Sequence, residues 1–135
     1  MAYIFTKDLE TGVAQVDAQH KALFDAMNQL SNACEQGKGR DEIDKTLKFL
    51  SDYIITHFSD EERLQRQYGY PDRVQHKAYH DQFKMSVKKM IDEYTAGGAS
   101  IVLVGEINRK VGMWLLNHIK REDVKLGAFL KGKGV

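Results

Sequence analysis

The chain has 135 residues and a formal net charge of +1 at pH 7, with charges of both signs mixed along it. This length allows one domain, residues 1–135, with a sizeable core, and the lack of a basic block argues against a nucleic-acid partner. No apolar run resembles a signal peptide or approaches the ~20 residues of a membrane-spanning helix. The single cysteine excludes an internal disulfide and is typical of a reducing compartment. We therefore expect a soluble, cytoplasmic protein without membrane insertion, in which Cys34 is a small core residue.

A short arm, residues 1–11, precedes the helical part of the chain. Tyr3, Ile4 and Phe5 make it apolar, and we expect it to pack on the rest of the protein as a non-helical strap. The first helix should begin between Gly12 and Asp17. Glycine suits the end of a helix and proline its start, so three groups of breakers predict the helix connections. These groups are Gly37-Lys38-Gly39, Gly69-Tyr70-Pro71 and Gly97-Gly98.

Each of the four segments between these breakers carries a stripe spaced by threes and fours, which predicts an amphipathic helix. Asp41 and Ser100 are candidate N-caps of the second and fourth helices. Short connections make consecutive helices antiparallel, so the expected fold is all-α: an up-down-up-down four-helix bundle over residues 12–130. The basic stretch 125–133 reads as solvated, with residues 131–135 as a tail. The stripes contain Val16, His20, Leu23, Met27, Leu30 and Cys34; Ile43, Leu47, Leu50, Ile54, His57, Glu61, Leu64 and Tyr68; His76, His80, Phe83, Val87, Met90 and Tyr94; and Val104, Ile107, Val111, Trp114 and His118.

All five histidines of the chain continue these stripes, and Glu61 does so too. So many ionisable groups facing one core would be costly if they were left unpaired, whereas metal ions would satisfy them together. Each piece alone is weak: a lone histidine on an apolar face is more often a satisfied core residue than a ligand. The convergence favours a metal site. The histidines are His20, His57, His76, His80 and His118.

The residue types narrow the choice of metal. Structural zinc takes about four ligands and often thiolates, while calcium and magnesium prefer oxygen. A b-type haem held by two histidines would leave three of the five unexplained. Mixed imidazole and carboxylate ligation suits non-haem iron, and two carboxylates available for bridging favour a di-iron centre.

Two carboxylates, Glu122 and Asp123, follow His118, and helix geometry bears on which of them can face the site with it. Asp123 follows His118 by five positions, which is ~500° around an α-helix, so the two would not share a face. Glu122 fits a regular helix better. Asp123 can reach the site only if the helix ends, bulges or kinks near residues 120–122.

At these residues the chain resembles the bacterial hemerythrins, over residues from about 12 to 123. The resemblance implies one iron held by His76, His80 and His118 and another held by His20 and His57. Glu61 and Asp123 would bridge the two ions, with an oxo or hydroxo group as third bridge. The resemblance thus prefers Asp123 over Glu122, so we expect the helix to be distorted near residues 120–122. The motifs that carry the resemblance are Val16-Asp17-x-Gln19-His20-Lys21-x-Leu23-Phe24, His57-Phe58-x-x-Glu61-Glu62, His76-x-x-x-His80 and His118-x-x-x-x-Asp123.

The resemblance also implies dioxygen binding at the iron with two histidines, inside a dry pocket. Apolar neighbours of the ligands are candidates to line it, although they also read as ordinary core. Phe5 stands where family members usually carry a tryptophan, which bears on pocket polarity or oxidation rate. The candidate oxygen-pocket residues are Leu23, Phe58, Trp114, Leu115 and Ile119.

Reversible dioxygen binding for transport, storage or delivery is the function that this resemblance implies, without catalytic residues. An oxygen or redox sensor, an iron-dependent peroxide or nitric oxide reductase, and simple iron storage are the alternatives. The expected partners are dioxygen and an oxygen-consuming enzyme or a reductase, and we expect a monomer.

Overall fold

The computed structural model describes residues 3–135, so the first two residues of the predicted arm lie outside the described part. The predicted four-helix bundle is confirmed, and no strand occurs among the described residues. The last helix of the bundle continues through a π-helical turn, Ile119–Asp123, into a further helix. The helices are α1 (Ala14–Glu35), α2 (Gly39–Tyr68), α3 (Arg73–Gly97), α4 (Ile101–His118) and α5 (Val124–Gly132).

The helix ends follow local chemistry. Gly69 closes α2 at φ 70°, in the left-handed region that glycine adopts without strain. Ser100 caps α4 as predicted, because its hydroxyl accepts the backbone N–H of Leu103 at 3.0 Å. The predicted cap Asp41 is wrong: α2 begins at Gly39, and Asp41 lies in its first turn. An acidic side chain there still complements the helix dipole.

Two apolar clusters form the core, and the polar stripe residues interrupt it between them. The larger cluster fills most of the bundle and includes Leu23, Phe58 and Ile119. The histidines and carboxylates separate these residues from a smaller cluster, which precedes His20 on α1 and follows Glu61 on α2 and Asp123 at the C-terminal end. The smaller cluster contains Val13, Val16, Leu64, Tyr70, Leu126 and Leu130.

Two expectations about side-chain exposure are wrong. Cys34 is exposed, because the stripe of α1 reaches the end of the bundle at this turn. The stretch 125–133 is not a solvated tail: most of it belongs to α5, whose Leu126 and Leu130 are buried. These leucines are spaced i,i+4 and share one helix face, so they cover the smaller cluster.

The N-terminal arm packs across α1 and α4. Tyr3 exchanges two hydrogen bonds with the side chain of Asn28, at 2.6 and 2.7 Å, and its hydroxyl donates to the carbonyl of Asn108. Gly112 allows this approach, since a Cβ there would lie 2.1 Å from the Tyr3 ring. One 3-10 turn, Lys7–Leu9, interrupts the expected non-helical strap and buries Leu9. No described helix is long and apolar enough to cross a membrane.

Candidate metal centre

The five histidines and two carboxylates singled out by the sequence lie together inside the bundle. They form two overlapping groups in which potential ligand atoms lie within 4.8 Å of one another. We call them the three-histidine group (His76, His80 and His118 with Glu61 and Asp123) and the two-histidine group (His20 and His57 with Glu61 and Asp123). Both groups contain both carboxylates, so the structure juxtaposes two potential metal positions.

Regular helix geometry brings most of these side chains inward. His57 and Glu61 are one turn apart on α2, and His76 and His80 are one turn apart on α3, so each pair shares a face. His20 comes from the second turn of α1. His118 comes from the end of α4.

Asp123 reaches the centre because of the π-helical turn Ile119–Asp123. A π-turn closes between residues five apart, so it accommodates one extra residue per turn and places i+5 over i. The Nε2 atom of His118 consequently lies 3.1 Å from Oδ1 of Asp123. The predicted helix distortion is confirmed. Glu122, which regular spacing favoured, instead lines a surface cavity.

Most of the donor atoms converge without a hydrogen bond of good geometry between them, although Nε2 of His76 and Nε2 of His118 do pair, at 3.1 Å. Nε2 of His20 lies 2.9 Å from Oδ2 of Asp123, and Nε2 of His80 lies 3.1 Å from Oε1 of Glu61. Yet neither nitrogen has a hydrogen-bond partner of good geometry, nor do the four carboxylate oxygens, among the described residues. Buried polar atoms are normally satisfied. Neutral imidazoles and anionic oxygens directed at common points are the donor set that non-haem iron prefers, so these residues fit such a pair of ions.

Charge interactions between the histidines and the two carboxyls set their pKa values. Burial alone would raise the pKa of both carboxyls, but the surrounding histidines hold the pKa of Glu61 and of Asp123 well below its usual range. Burial lowers the pKa of His20, and the carboxylates of Asp123 and Glu61 overcome this and raise it to about 10. Burial dominates at His57 and lowers its pKa. Both carboxyls are therefore anionic, and positive charge on neighbouring groups stabilises them.

Two hydrogen bonds from outside the cluster orient histidine rings. Nδ1 of His57 lies 2.7 Å from Oε1 of Gln19, whose amide nitrogen donates to Asp60 at 2.9 Å. Nδ1 of His80 lies 2.9 Å from Oε2 of Glu62. Such contacts direct the remaining ring nitrogen at the metal. Gln19 and Glu62 occur in the sequence motifs, but spacing along the chain does not reveal their roles. Each contacts a histidine that lies on a different helix.

Aromatic rings pack directly on the three-histidine group. The Phe58 ring stacks on His80 at 3.8 Å between centroids, and the Trp114 ring stacks on His118 at 4.4 Å. Of the candidate oxygen-pocket residues, Leu23, Phe58, Leu115 and Ile119 are buried, as core residues would also be.

Trp114 is only partly buried, and it lines a surface cavity of about 160 Å³. His118 also lines this cavity and is 6% exposed, whereas the other four histidines are at most 1% exposed. Phe5, in the N-terminal arm, packs edge-on against Phe24 of α1, with the ammonium of Lys21 over its ring.

Known proteins share both the sequence and the fold. The family model described as "Hemerythrin HHE cation binding domain" matches residues 11–130. Bacteriohemerythrin of Methylococcus capsulatus is 37% identical over 120 residues, which is 89% of each chain. Bacteriohemerythrin of Pseudomonas aeruginosa is 34% identical over 121 residues, covering 89% of this chain and 76% of that one. The crystal structure of a wild-type hemerythrin superposes with a TM-score of 0.82 at 35% identity, covering 96% of this chain and 98% of the other. The family and the fold support a di-iron, oxygen-binding role: the chain belongs to the hemerythrin family.

Proposed function

We propose that the chain binds dioxygen reversibly at two iron ions held by these seven side chains. His76, His80 and His118 hold one ion and His20 and His57 hold the other. Glu61 and Asp123 would be shared by both ions, and an oxo or hydroxo group would serve as the third bridge. The observation that carries this proposal is that two groups of ligand atoms share the same two buried carboxylates. Bound iron would supply the redox chemistry that reversible dioxygen binding requires, and these side chains would hold it in the core.

The unequal number of histidines in the two groups indicates which metal position would bind dioxygen. Each group has the same two carboxylates, so the two-histidine group offers one protein donor fewer than the three-histidine group. An incomplete set of protein ligands distinguishes a reactive metal site from a structural one. We therefore place the exchangeable position beside His20 and His57.

Apolar side chains keep this position dry in the proposed mechanism. Leu23 follows His20 by nearly one turn and is fully buried, and Leu115 and Ile119 are at most 2% exposed. Exclusion of water and protons slows the side reactions that would leave the iron oxidised. We assign Leu23, Phe58, Leu115 and Ile119 to the pocket wall and Trp114 to its outer edge.

Transport, storage or delivery of dioxygen is the role we propose, rather than an enzymatic one. The relatives are named hemerythrins or bacteriohemerythrins. Within the site, the ionisable side chains of both groups are accounted for as ligands, and Glu62 is an outer hydrogen-bond partner of His80. A soluble monomer in the cytoplasm, exchanging dioxygen with an oxygen-consuming enzyme, is the corresponding cellular picture.

The optical spectrum tests this function directly. The iron-loaded protein is reduced without air, exposed to oxygen and purged again, with the zinc-loaded protein as control. We expect visible bands that appear with oxygen, vanish on purging and are absent with zinc. Immediate and permanent oxidation would instead indicate a redox sensor, and turnover of peroxide or nitric oxide with a reductant would indicate an enzyme. An iron-loaded protein unaffected by oxygen would point to storage.

A further inference from the structure

The two oriented histidines have hydrogen-bond partners of different charge. His57, in the two-histidine group, contacts a neutral amide, Gln19, at 2.7 Å. His80, in the three-histidine group, contacts a carboxylate, Glu62, at 2.9 Å. Gln19 and Glu62 are both partly buried, so neither contact is fully screened by water.

The network around Gln19 determines which atoms donate. The Asp60 carboxylate can only accept, so the Gln19 atom beside it is the amide nitrogen, and the Gln19 oxygen faces His57. His57 must then donate from Nδ1, which leaves the lone pair on Nε2, the atom 3.7 Å from Glu61. Asp60 thereby fixes the tautomer of His57 through Gln19.

The hydrogen bond of His80 also fixes its tautomer, but it gives the ring a different strength as an electron donor. The Glu62 carboxylate accepts from Nδ1, so Nε2 is again free to face the site. A carboxylate partner draws the ring N–H proton toward itself and makes the imidazole a stronger electron donor than an amide oxygen does. The two histidines therefore differ in donor strength although both present Nε2.

We propose that Gln19 and Glu62 are positioning residues that make the two metal positions electronically unequal. Gln19, held by Asp60, keeps His57 a weak donor and so disfavours permanent oxidation at the ion that meets dioxygen. Glu62 makes His80 a strong donor and stabilises the more oxidised state at the other ion. The effect on dioxygen binding rests on the proposed function. The difference in donor strength between His57 and His80 follows from their hydrogen bonds alone.

Gln15 provides a matched control on the same helix. It precedes Gln19 by one turn, and its amide also contacts Asp60, at 3.4 Å, but it is exposed. Gln15→Glu and Gln19→Glu therefore place the same new carboxylate beside Asp60. Only the second places it on the ring nitrogen of His57.

The experiment compares Gln19→Glu, Gln15→Glu and Glu62→Gln in two metal forms. In the diamagnetic zinc-loaded protein, nitrogen NMR reports the ring N–H of His57 and His80 without any dependence on dioxygen. In the iron-loaded protein, the midpoint potential and the rate of air oxidation are measured. We expect Gln19→Glu to shift the His57 resonance, lower the potential and speed air oxidation roughly tenfold or more. We expect Glu62→Gln to raise the potential, and Gln15→Glu to change none of these.

Equal shifts in Gln15→Glu and Gln19→Glu would overturn the proposal, as would potentials that move in the same direction in Gln19→Glu and Glu62→Gln. If Gln19→Glu fails to fold, Asp60→Asn serves instead. It weakens the polarisation of Gln19 and should raise the potential, and an unchanged or lowered potential would reject the idea. If the proposed function alone is wrong, the variants should still show the expected NMR shifts and changes in midpoint potential, but the protein would not bind dioxygen.

Discussion

The two-histidine and three-histidine groups share both carboxylates, yet their surroundings differ. His20 and His57 are sealed from solvent and lie near Leu23 and a neutral amide. The three-histidine group has an aromatic ring stacked on two of its members, a carboxylate partner, and a small opening to solvent beside His118. By our proposal, the three-histidine group holds its metal firmly, and the two-histidine group keeps a dry position at which dioxygen binds.

Removal of a shared carboxylate should have the largest effect, because it breaks both groups at once. Asp123→Asn should lose both iron ions, a greater loss than the roughly 10- to 100-fold that removal of an outer hydrogen-bond partner costs. Metal analysis of the purified, iron-loaded protein measures this. Glu122→Gln is the matched control, since Glu122 lines the surface cavity and should be dispensable. Loss of iron in Glu122→Gln with retention in Asp123→Asn would reverse the assignment.

A polar group on the reactive side should alter chemistry without removing metal. Leu23→Gln should leave iron content intact and speed air oxidation by roughly tenfold, because the amide admits water beside His20. The decay of the oxygen-dependent bands gives the rate. Leu23→Met keeps the site apolar with a similar volume and should oxidise at nearly the parent rate. An unchanged rate in Leu23→Gln would remove Leu23 from the pocket wall.

The stack of Trp114 on His118 provides a probe of the three-histidine side alone. Trp114 is the single tryptophan of the chain, so its fluorescence reports this position. Iron loading should quench the emission strongly, because the ring lies against a proposed ligand, and zinc should quench it much less. In His118→Ala, quenching by iron should diminish. Equal quenching by the two metals would show that the stack does not sense the iron.

The smallest loss of iron is expected from a deletion within the π-turn Ile119–Asp123, which already holds one residue more than a regular helical turn. Deletion of the exposed Lys120 should convert the π-turn into an ordinary helix and retain most of the iron, since His118 and the following aspartate would become one turn apart. Deletion of the exposed Lys110 in α4 should abolish iron binding, because it rotates His118 by ~100°. Metal analysis of both deletions tests the difference. Loss of iron in the Lys120 deletion would show that the π-turn itself shapes the centre.

Much of this architecture follows from local rules. Stripes at helical spacing and breaker groups predicted four helices, and the helical partners His57 and Glu61, or His76 and His80, needed only spacing to share a face. Local rules failed where a helix meets an end of the bundle. Cys34 continues a stripe but lies beyond the core, and residues 125–133 look solvated although Leu126 and Leu130 cover a second cluster.

The sequence by itself determined the helices, the inward-facing histidines and Glu61, because periodicity alone sets the face that a helical residue occupies. Periodicity alone favoured Glu122 over Asp123, and the tertiary structure shows the π-turn, a departure from that periodicity, that brings Asp123 to the site. Only the tertiary structure decided the partners of His57 and His80, which lie on other helices and have no fixed spacing from them in the chain. The charge of a ring's neighbour is a property of helix packing, and by our proposal it makes the two metal positions different.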